Sequence, residues 1–230
     1  EQLLRDVAVQ NLPVLFAVDR AGLVGADGAT HQGAFDMAYA RCIPNLCIMA
    51  PKDEQELRDM LNTGFALPGP ALVRYPRGAG VGVPLERDLT RTVPLGKAEL
   101  LRRGRRLAIL SFGTRAAAAL EAGEALDATV VNMRFVKPLD VELLESLARE
   151  HEAFVTVEEG CAMGGAGSGV AEALLAQGLR PSMRILGLPD SFIEQGDAKA
   201  WLAELGLDAA GIITAGRELL GRLAHPAPVA

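Results

Sequence analysis

VLFAVDRAGLVGADGATHQGAFD, residues 14–36, begins as a strand and ends as a helix, with a glycine-bearing loop between them. The apolar run Val14-Leu15-Phe16-Ala17-Val18 is short, follows Pro13 and is rich in strand formers, which predicts a buried strand. That strand delivers Asp19 and Arg20 to its carboxyl end. The loop carries Gly22, Gly25 and Gly28, with Asp27 and His31 set among them. Thr30 reads as the cap of a helix whose apolar side holds Phe35, Ala38 and Cys42. In open α/β sheets ligands sit beyond the carboxyl ends of the strands, beside helix N-termini. Arg20, Asp27 and His31 on one such loop therefore form a candidate site. Taken singly, each has a plainer reading: a surface arginine, a loop acid, a polar first-turn residue. Any irregular loop would also use three glycines.

The same pattern repeats downstream. Leu46-Cys47-Ile48-Met49-Ala50 is a strand closed by Pro51, and Asp53 with Glu56 makes a capping box for a helix bearing Leu57, Met60, Leu61 and Phe65. Ala71-Leu72-Val73-Arg74-Tyr75 is a third strand, ending in Pro76-Arg77-Gly78. Successive strand–helix units imply parallel strands, so Arg20 and Arg77 leave the sheet at the same edge. Two guanidinium forks facing one cleft suit a phosphate or carboxylate. For Arg77 the competing reading is a salt bridge to a loop acid such as Asp19. Imidazole ordinarily changes charge near neutrality, and Asp27 lies close enough in sequence to His31 to hold its ring, a pairing suited to moving a proton at a carbonyl or hydroxyl.

Residues 78–96 hold several Gly and Pro with no sustained period and read as an interdomain linker. A second α/β pattern follows. Leu107-Ala108-Ile109-Leu110 is a strand, Thr114 caps an alanine-rich helix running to about Leu126, and Thr129-Val130-Val131 is the next strand. Asp140 caps the helix VELLESLAREH, and Phe154-Val155-Thr156-Val157 is a further buried strand. Gly164, Gly165, Gly167 and Gly169 then precede the helix VAEALLAQ. Their order satisfies neither the dinucleotide fingerprint nor the phosphate loop, so a close-packed turn against a neighbouring helix is expected. Trp201 falls in a late helix as a core or interface residue, and the tail HPAPVA reads as frayed.

Half of the 230 residues are hydrophobic and the net charge is −6. That length holds one large domain or two modest ones, and the charge argues against general nucleic-acid binding. The basic cluster Arg102-Arg103-Gly104-Arg105-Arg106 reads as a charged hairpin turn. No apolar stretch approaches the roughly 20 residues that span a bilayer, and no signal or sorting motif is visible. Cys42, Cys47 and Cys161 read as reduced, buried thiols of a cytoplasmic protein, while His31, His151 and His225 form no ligand pattern, so no metal site is expected in this chain. The first residue is Glu1, and EQLLRDVAVQ, with Leu3, Leu4 and Val7 on one side, is already a helix in progress. A chain that opens so, without Met or cap, is expected to be a piece of something longer.

The wording of DRAGLVGADGATHQGAFD closely resembles the 1-deoxy-D-xylulose-5-phosphate synthase family, thiamine-diphosphate enzymes of the transketolase superfamily. The resemblance continues through RCIPNLCIMAPKDEQEL, VRYPRG, PLGKAELL and VEEGCAMGGAGSGVAE, nearly the whole chain. It implies an α/β fold of two domains with mainly parallel sheets. Residues 1–80 would be the C-terminal part of a pyrimidine-binding domain, 81–96 a linker, and 97–230 a transketolase C-terminal domain that mainly supports subunit contacts. It implies joining a two-carbon unit from pyruvate to D-glyceraldehyde 3-phosphate with loss of CO2, in a cytoplasmic homodimer. Arg20 and Arg77 would bind the acceptor's phosphate. His31 would sit near the reacting carbon, and Asp27 would contact acceptor hydroxyls and steady His31. The Mg²⁺ and diphosphate motif, the glutamate that activates the aminopyrimidine and the stacking aromatic do not occur in these residues. The main cofactor-binding residues are expected upstream of Glu1, on a missing N-terminal part, and the 230-residue chain alone is expected to be inactive. The rival readings are a portion of a transketolase, a 2-oxo acid dehydrogenase β-subunit, or a non-catalytic dimerisation module. A β-subunit should retain the activating glutamate, and none precedes the first strand suitably.

Overall fold

The computed structural model describes residues 1–224, arranged about two β-sheets. His225 and the tail read as frayed lie outside the described residues. In chain order the first unit runs β1 (Leu15–Val18), α1 (Asp36–Ala40), β2 (Cys47–Met49), α2 (Glu54–Ala66) and β3 (Ala71–Arg74). The second runs β4 (Glu99–Arg102), β5 (Leu107–Ser111), α3 (Ala116–Leu126), β6 (Thr129–Asn132), β7 (Phe135–Lys137), α4 (Val141–Glu150) and β8 (Ala153–Cys161). It closes with α5 (Ala166–Ala176), β9 (Ser182–Leu188), α6 (Ala198–Glu204) and α7 (Ala209–Ala224).

As the strand–helix alternation predicts, β1, β3 and β2 are parallel neighbours, with Val18 opposite Arg74 and Met49 opposite Val73. The second sheet, in the order β4-β6-β5-β8-β9, is parallel except for β4. Its central strands bury both faces, which is why LAIL and FVTV read as unbroken apolar runs. Leu110, Phe112, Val131, Phe154, Val170 and Leu174 pack into a core that also takes in Met37, Ile48 and Leu72 from the first unit. Each such fully buried large side chain contributes about 1.5–3 kcal/mol.

The two units are also joined through hydrogen bonds. β7 leaves the second unit in sequence and pairs antiparallel with β2 of the first sheet. Beside it, the buried Glu56 carboxylate accepts from Asn132 Nδ2 (2.9 Å) and Arg134 Nε (2.7 Å). Lys52 Nζ bridges Glu56 (3.5 Å) to Glu99 (3.0 Å). Residues 81–93 have no regular element and lie along α2, whose Glu54, Arg58 and Asn62 side chains bond their backbone.

Several local expectations change. Thr30 is not a helix cap: it lies inside a 3₁₀ turn, Ala29–His31, and α1 starts only at Asp36. Gly33 is the reason. Its N–H reaches Arg20 O (2.8 Å) and its C=O accepts from Gly22 N (3.0 Å), which holds the chain in the loop until the neck is closed. The buried side of α1 is then Asp36, Met37 and Ala40, with Phe35 and Cys42 exposed, so the three cysteines are not all buried. In α2, Asp53 caps as read by accepting from Glu56 N (2.8 Å), but Glu56 reaches back to Lys52 N (2.8 Å) rather than to the cap residue. Its inner face is Gln55, Glu56, Asp59, Met60 and Thr63, while Phe65 is 78% exposed. The polar members of that face are satisfied by the 81–93 segment and the Glu56 network. The opening stretch is a helix as read, in the π form over Leu3–Ala8, but Leu4 is exposed and Ala8 is its buried residue. Glu1 precedes it as an exposed residue whose carboxylate pairs with Arg5 Nη1 (2.7 Å) one turn on.

Thr114 likewise sits in a 3₁₀ turn, Gly113–Arg115, ahead of α3 and caps nothing. The Arg102–Arg106 turn does not make a hairpin, because β6 lies between β4 and β5. Asp140 caps α4 as read, accepting from Leu143 N (3.3 Å). Trp201 is half-buried in α6 and packs on the core cluster that contains Leu207 and Ile212.

Candidate functional site

The parallel pairing of β1 with β3 brings Asp19-Arg20 and Tyr75-Pro76-Arg77 out of one sheet edge side by side, where Ala21 N donates to Tyr75 O (2.9 Å). Arg20 has φ 59°, a left-handed conformation that costs a non-glycine residue about 1–2 kcal/mol. It turns the chain sharply out of the strand and into the loop. Residues 20–33 form a closed loop, necked by the Gly33 bonds to Arg20 and Gly22. A cleft of about 460 Å³ opens at this edge. It takes in Asp19, Lys52, Tyr75 and Arg77 from the first unit and Thr114 from the second.

The charges at the edge pair off. Arg77 Nη1 meets the Asp27 carboxylate, and Arg20 Nη1 meets Asp19. Asp27, not Asp19, is therefore the loop acid that Arg77 finds. His31 is exposed and its Nδ1 lies 2.9 Å from Thr30 Oγ1. The expectation that Asp27 steadies His31 is corrected here, because the carboxylate turns to the nearby permanent cation. Both arginines keep donors free beyond the single Nη1 so engaged, and Arg20 Nε is buried with no partner among the described residues. Half-exposed forks of this kind can take an anion without being buried first.

Beneath the loop lies a layer of charge that apolar periodicity does not reveal. Asp36 and Arg74 form a buried pair (2.6 Å), and Arg74 Nη2 also donates to Gly33 O (2.9 Å) and Glu159 O (3.1 Å). Glu158 is fully buried, and its carboxylate accepts from Ala166 N (2.9 Å) and Gly167 N (2.8 Å) at the start of α5. Burial pushes its pKa up to about 7, against the two N–H groups and Arg74, which act to lower it. The glycine cluster is thus a close-packed turn as expected: Gly164 faces Ala38 of α1, Gly165 and Gly167 close on strand β8, and the turn's N–H groups hold the protein's own carboxylate. The signal for Arg74, Glu158 and Glu159 was in the sequence: charged residues inside otherwise apolar strand runs, VRYP and VTVEEGC.

Segment 189–197 braces the loop from outside. Gly196 N donates to Gly25 O (2.9 Å), Gln195 Nε2 to Ala26 O (2.8 Å), and Gln32 Nε2 to Ile193 O (3.0 Å). Among the described residues no three His, Cys, Asp or Glu side chains gather as a metal cage, and no helix is long and apolar enough to cross a membrane.

Residues 1–81 match the transketolase pyrimidine binding domain, and residues 96–212 the transketolase C-terminal domain. The chain is 61% identical to the 1-deoxy-D-xylulose-5-phosphate synthase of Methylibium petroleiphilum, over 92% of this chain and 34% of that protein. It is 60% identical to the synthase of Acidovorax ebreus, over 97% and 35%, and 56% identical to that of Burkholderia pseudomallei, over 100% and 37%. It therefore spans about a third of the length of the curated relatives it matches. Its structure superposes with a TM-score of 0.84 on the inactive beta4 tetramer of a split-gene transketolase, 31% identical, covering 96% of this chain and 71% of that one. With both sheets matched and the solved neighbour of the same kind, the chain belongs to the transketolase family.

Proposed function

We propose that these residues are the acceptor-binding portion of a 1-deoxy-D-xylulose-5-phosphate synthase. That enzyme condenses pyruvate with D-glyceraldehyde 3-phosphate, releases CO2 and opens the non-mevalonate route to isoprenoids. The observation that carries the reading is the pairing of β1 with β3, which sets Arg20 and Arg77 at one sheet edge beside the loop that bears Asp27 and His31. The arginines hold the acceptor's phosphate by charge-assisted hydrogen bonds. Asp27, already on Arg77, orients that guanidinium and meets acceptor hydroxyls rather than the phosphate, which its charge would repel. His31 handles the proton at the acceptor's carbonyl oxygen.

Thiamine diphosphate supplies the carbanion chemistry in such enzymes. The described residues offer little to its diphosphate and Mg²⁺: no acidic cage gathers, and the N–H groups at the start of α5 are taken up by Glu158. We assign those contacts to parts of the complete enzyme upstream of Glu1. Residues 1–80 then bear the acceptor site, 81–96 link, and 97–230 form the C-terminal domain, in a cytoplasmic homodimer.

The test is catalytic efficiency for phosphorylated and unphosphorylated glyceraldehyde in the complete enzyme and in Arg20→Ala and Arg77→Ala. Each lost charge-assisted contact is worth roughly 1.5–3 kcal/mol, so use of the phosphorylated aldehyde falls by about one to two orders of magnitude. Use of the unphosphorylated aldehyde and the KM for pyruvate change far less. Equal losses for both aldehydes would show that the arginines support the loop and hold no phosphate.

A further inference from the structure

We propose that Glu159 is a positioning residue for the acceptor loop, by which the C-terminal domain sets the geometry of a site it does not itself line with that side chain. This deepens, and rests on, the acceptor-binding reading. β8 pairs with β5 only as far as Val157 opposite Ser111, so Glu158 to Cys161 run past β5, with Cys161 opposite Leu188 of β9, and reach the first unit. There Cys161 N donates to Ala34 O (2.7 Å), fixing this stretch just past the neck of the loop. Glu159 Oε1 accepts the N–H of Leu23 at 2.9 Å, within the loop, across 136 residues of sequence. Gly22, at φ 77°, packs directly on the same carboxylate: a Cβ there would stand 2.3 Å from Oε1. The loop has been shaped to receive this side chain.

The other oxygen faces the second unit. Glu159 Oε2 lies 3.1 Å from Arg115 Nε, a charge contact without hydrogen-bond alignment, and 3.4 Å from the hydroxyl of Thr114, which lines the cleft. One carboxylate at 9% exposure thus connects the loop between Arg20 and Asp27 to the cleft wall of the other sheet. A buried carboxylate costs stability unless it is paired, and replacing the Arg115–Glu159 pair by apolar groups would satisfy packing alone. What apolar groups could not do is accept the Leu23 N–H and so fix the arc that carries Arg20 on one side and Asp27 on the other.

The test uses the complete enzyme with Glu159→Ala and Glu159→Gln. Glutamine keeps an acceptor oxygen for Leu23 N–H and removes only the charge; alanine removes both. Loss of the tether raises the KM for glyceraldehyde 3-phosphate about tenfold in the alanine variant, with the KM for pyruvate unchanged, and glutamine restores it to within about twofold. Hydrogen exchange at the Leu23 amide accelerates in the alanine variant and not in the glutamine one. A merely structural role would lower the active fraction, and with it kcat, leaving both KM values alone. An alanine variant with the parent's KM for the aldehyde, or a glutamine variant as impaired as alanine, would overturn the proposal. Should the unaltered enzyme make no product from these substrates, the acceptor-binding reading falls. Leu23 exchange then decides the tether by itself, and equal exchange in parent and alanine variant overturns it.

Discussion

His31 stands exposed on the loop, its Nδ1 beside Thr30 Oγ1 and with no other side-chain hydrogen bond among the described residues. No buried contact of the fold rests on its ring, so its removal should be felt in turnover rather than in folding. His151 is the contrast: buried, with both ring nitrogens engaged by Thr129 Oγ1 (2.7 Å) and Leu147 O (3.1 Å). His31→Ala should therefore leave thermal stability within about 0.5 kcal/mol, as surface substitutions do. In the complete enzyme it should lower kcat by about 10²–10⁴-fold, the usual worth of general acid–base catalysis. Steady-state rates across pH check this, and a variant with normal turnover throughout would return His31 to a surface role. That His31, Asp27, Arg20 and Arg77 lie at one sheet edge was legible in the sequence, because each sits in a polar break after an apolar run. Their pairing was not. Which acid meets Arg77 depends on how a 14-residue loop folds back, and that is set by backbone bonds at Gly33 that no spacing rule carries.

At the scale of elements, capping chemistry and apolar runs foretold much: Asp53 and Asp140 cap as read, and β1, β2, β3, β5, β6 and the first part of β8 fall where strand formers cluster. The failures share a cause. β4, β7 and β9 are edge strands placed by their pairing, and β7 even joins the other sheet, so local pattern gave them no weight. α1 was misread because a tertiary contact, the Asp36–Arg74 pair, decides which side faces inward. The junction of β8 with α5 makes the sharpest prediction here. A Cβ on Gly165 would stand 2.2 Å from Cys161 O and 2.6 Å from Glu158 Oε2, so neither backbone nor the buried carboxylate could be spared. Gly165→Ala should destabilise by about 2 kcal/mol or more, from overpacking and a disturbed buried acid. Thermal unfolding of parent and variant measures it, and an unchanged midpoint would mean that the turn has slack the geometry does not show.

For the whole molecule, the two sheets act as one platform. β7 and the Glu56 network tie them at α2, and Glu159 ties them at the loop, so the cleft has walls from both units. The strand–helix pattern predicted the units and the edge, while the family resemblance assigned the second unit chiefly to subunit contacts; its share of the cleft wall, through Thr114, shows only in the folded chain. In the proposed function, the acceptor's phosphate meets the first unit while the second fixes the loop. The measurement that bears on this most directly is turnover by the complete enzyme supplied with thiamine diphosphate, Mg²⁺, pyruvate and D-glyceraldehyde 3-phosphate. CO2 and 1-deoxy-D-xylulose 5-phosphate are followed together, and a parallel reaction offers a ketose phosphate donor in place of pyruvate. The account predicts equal amounts of CO2 and product from pyruvate, and little from the ketose. Transfer from the ketose without CO2, and none from pyruvate, would make the protein a transketolase in activity as well as in fold and would contradict it.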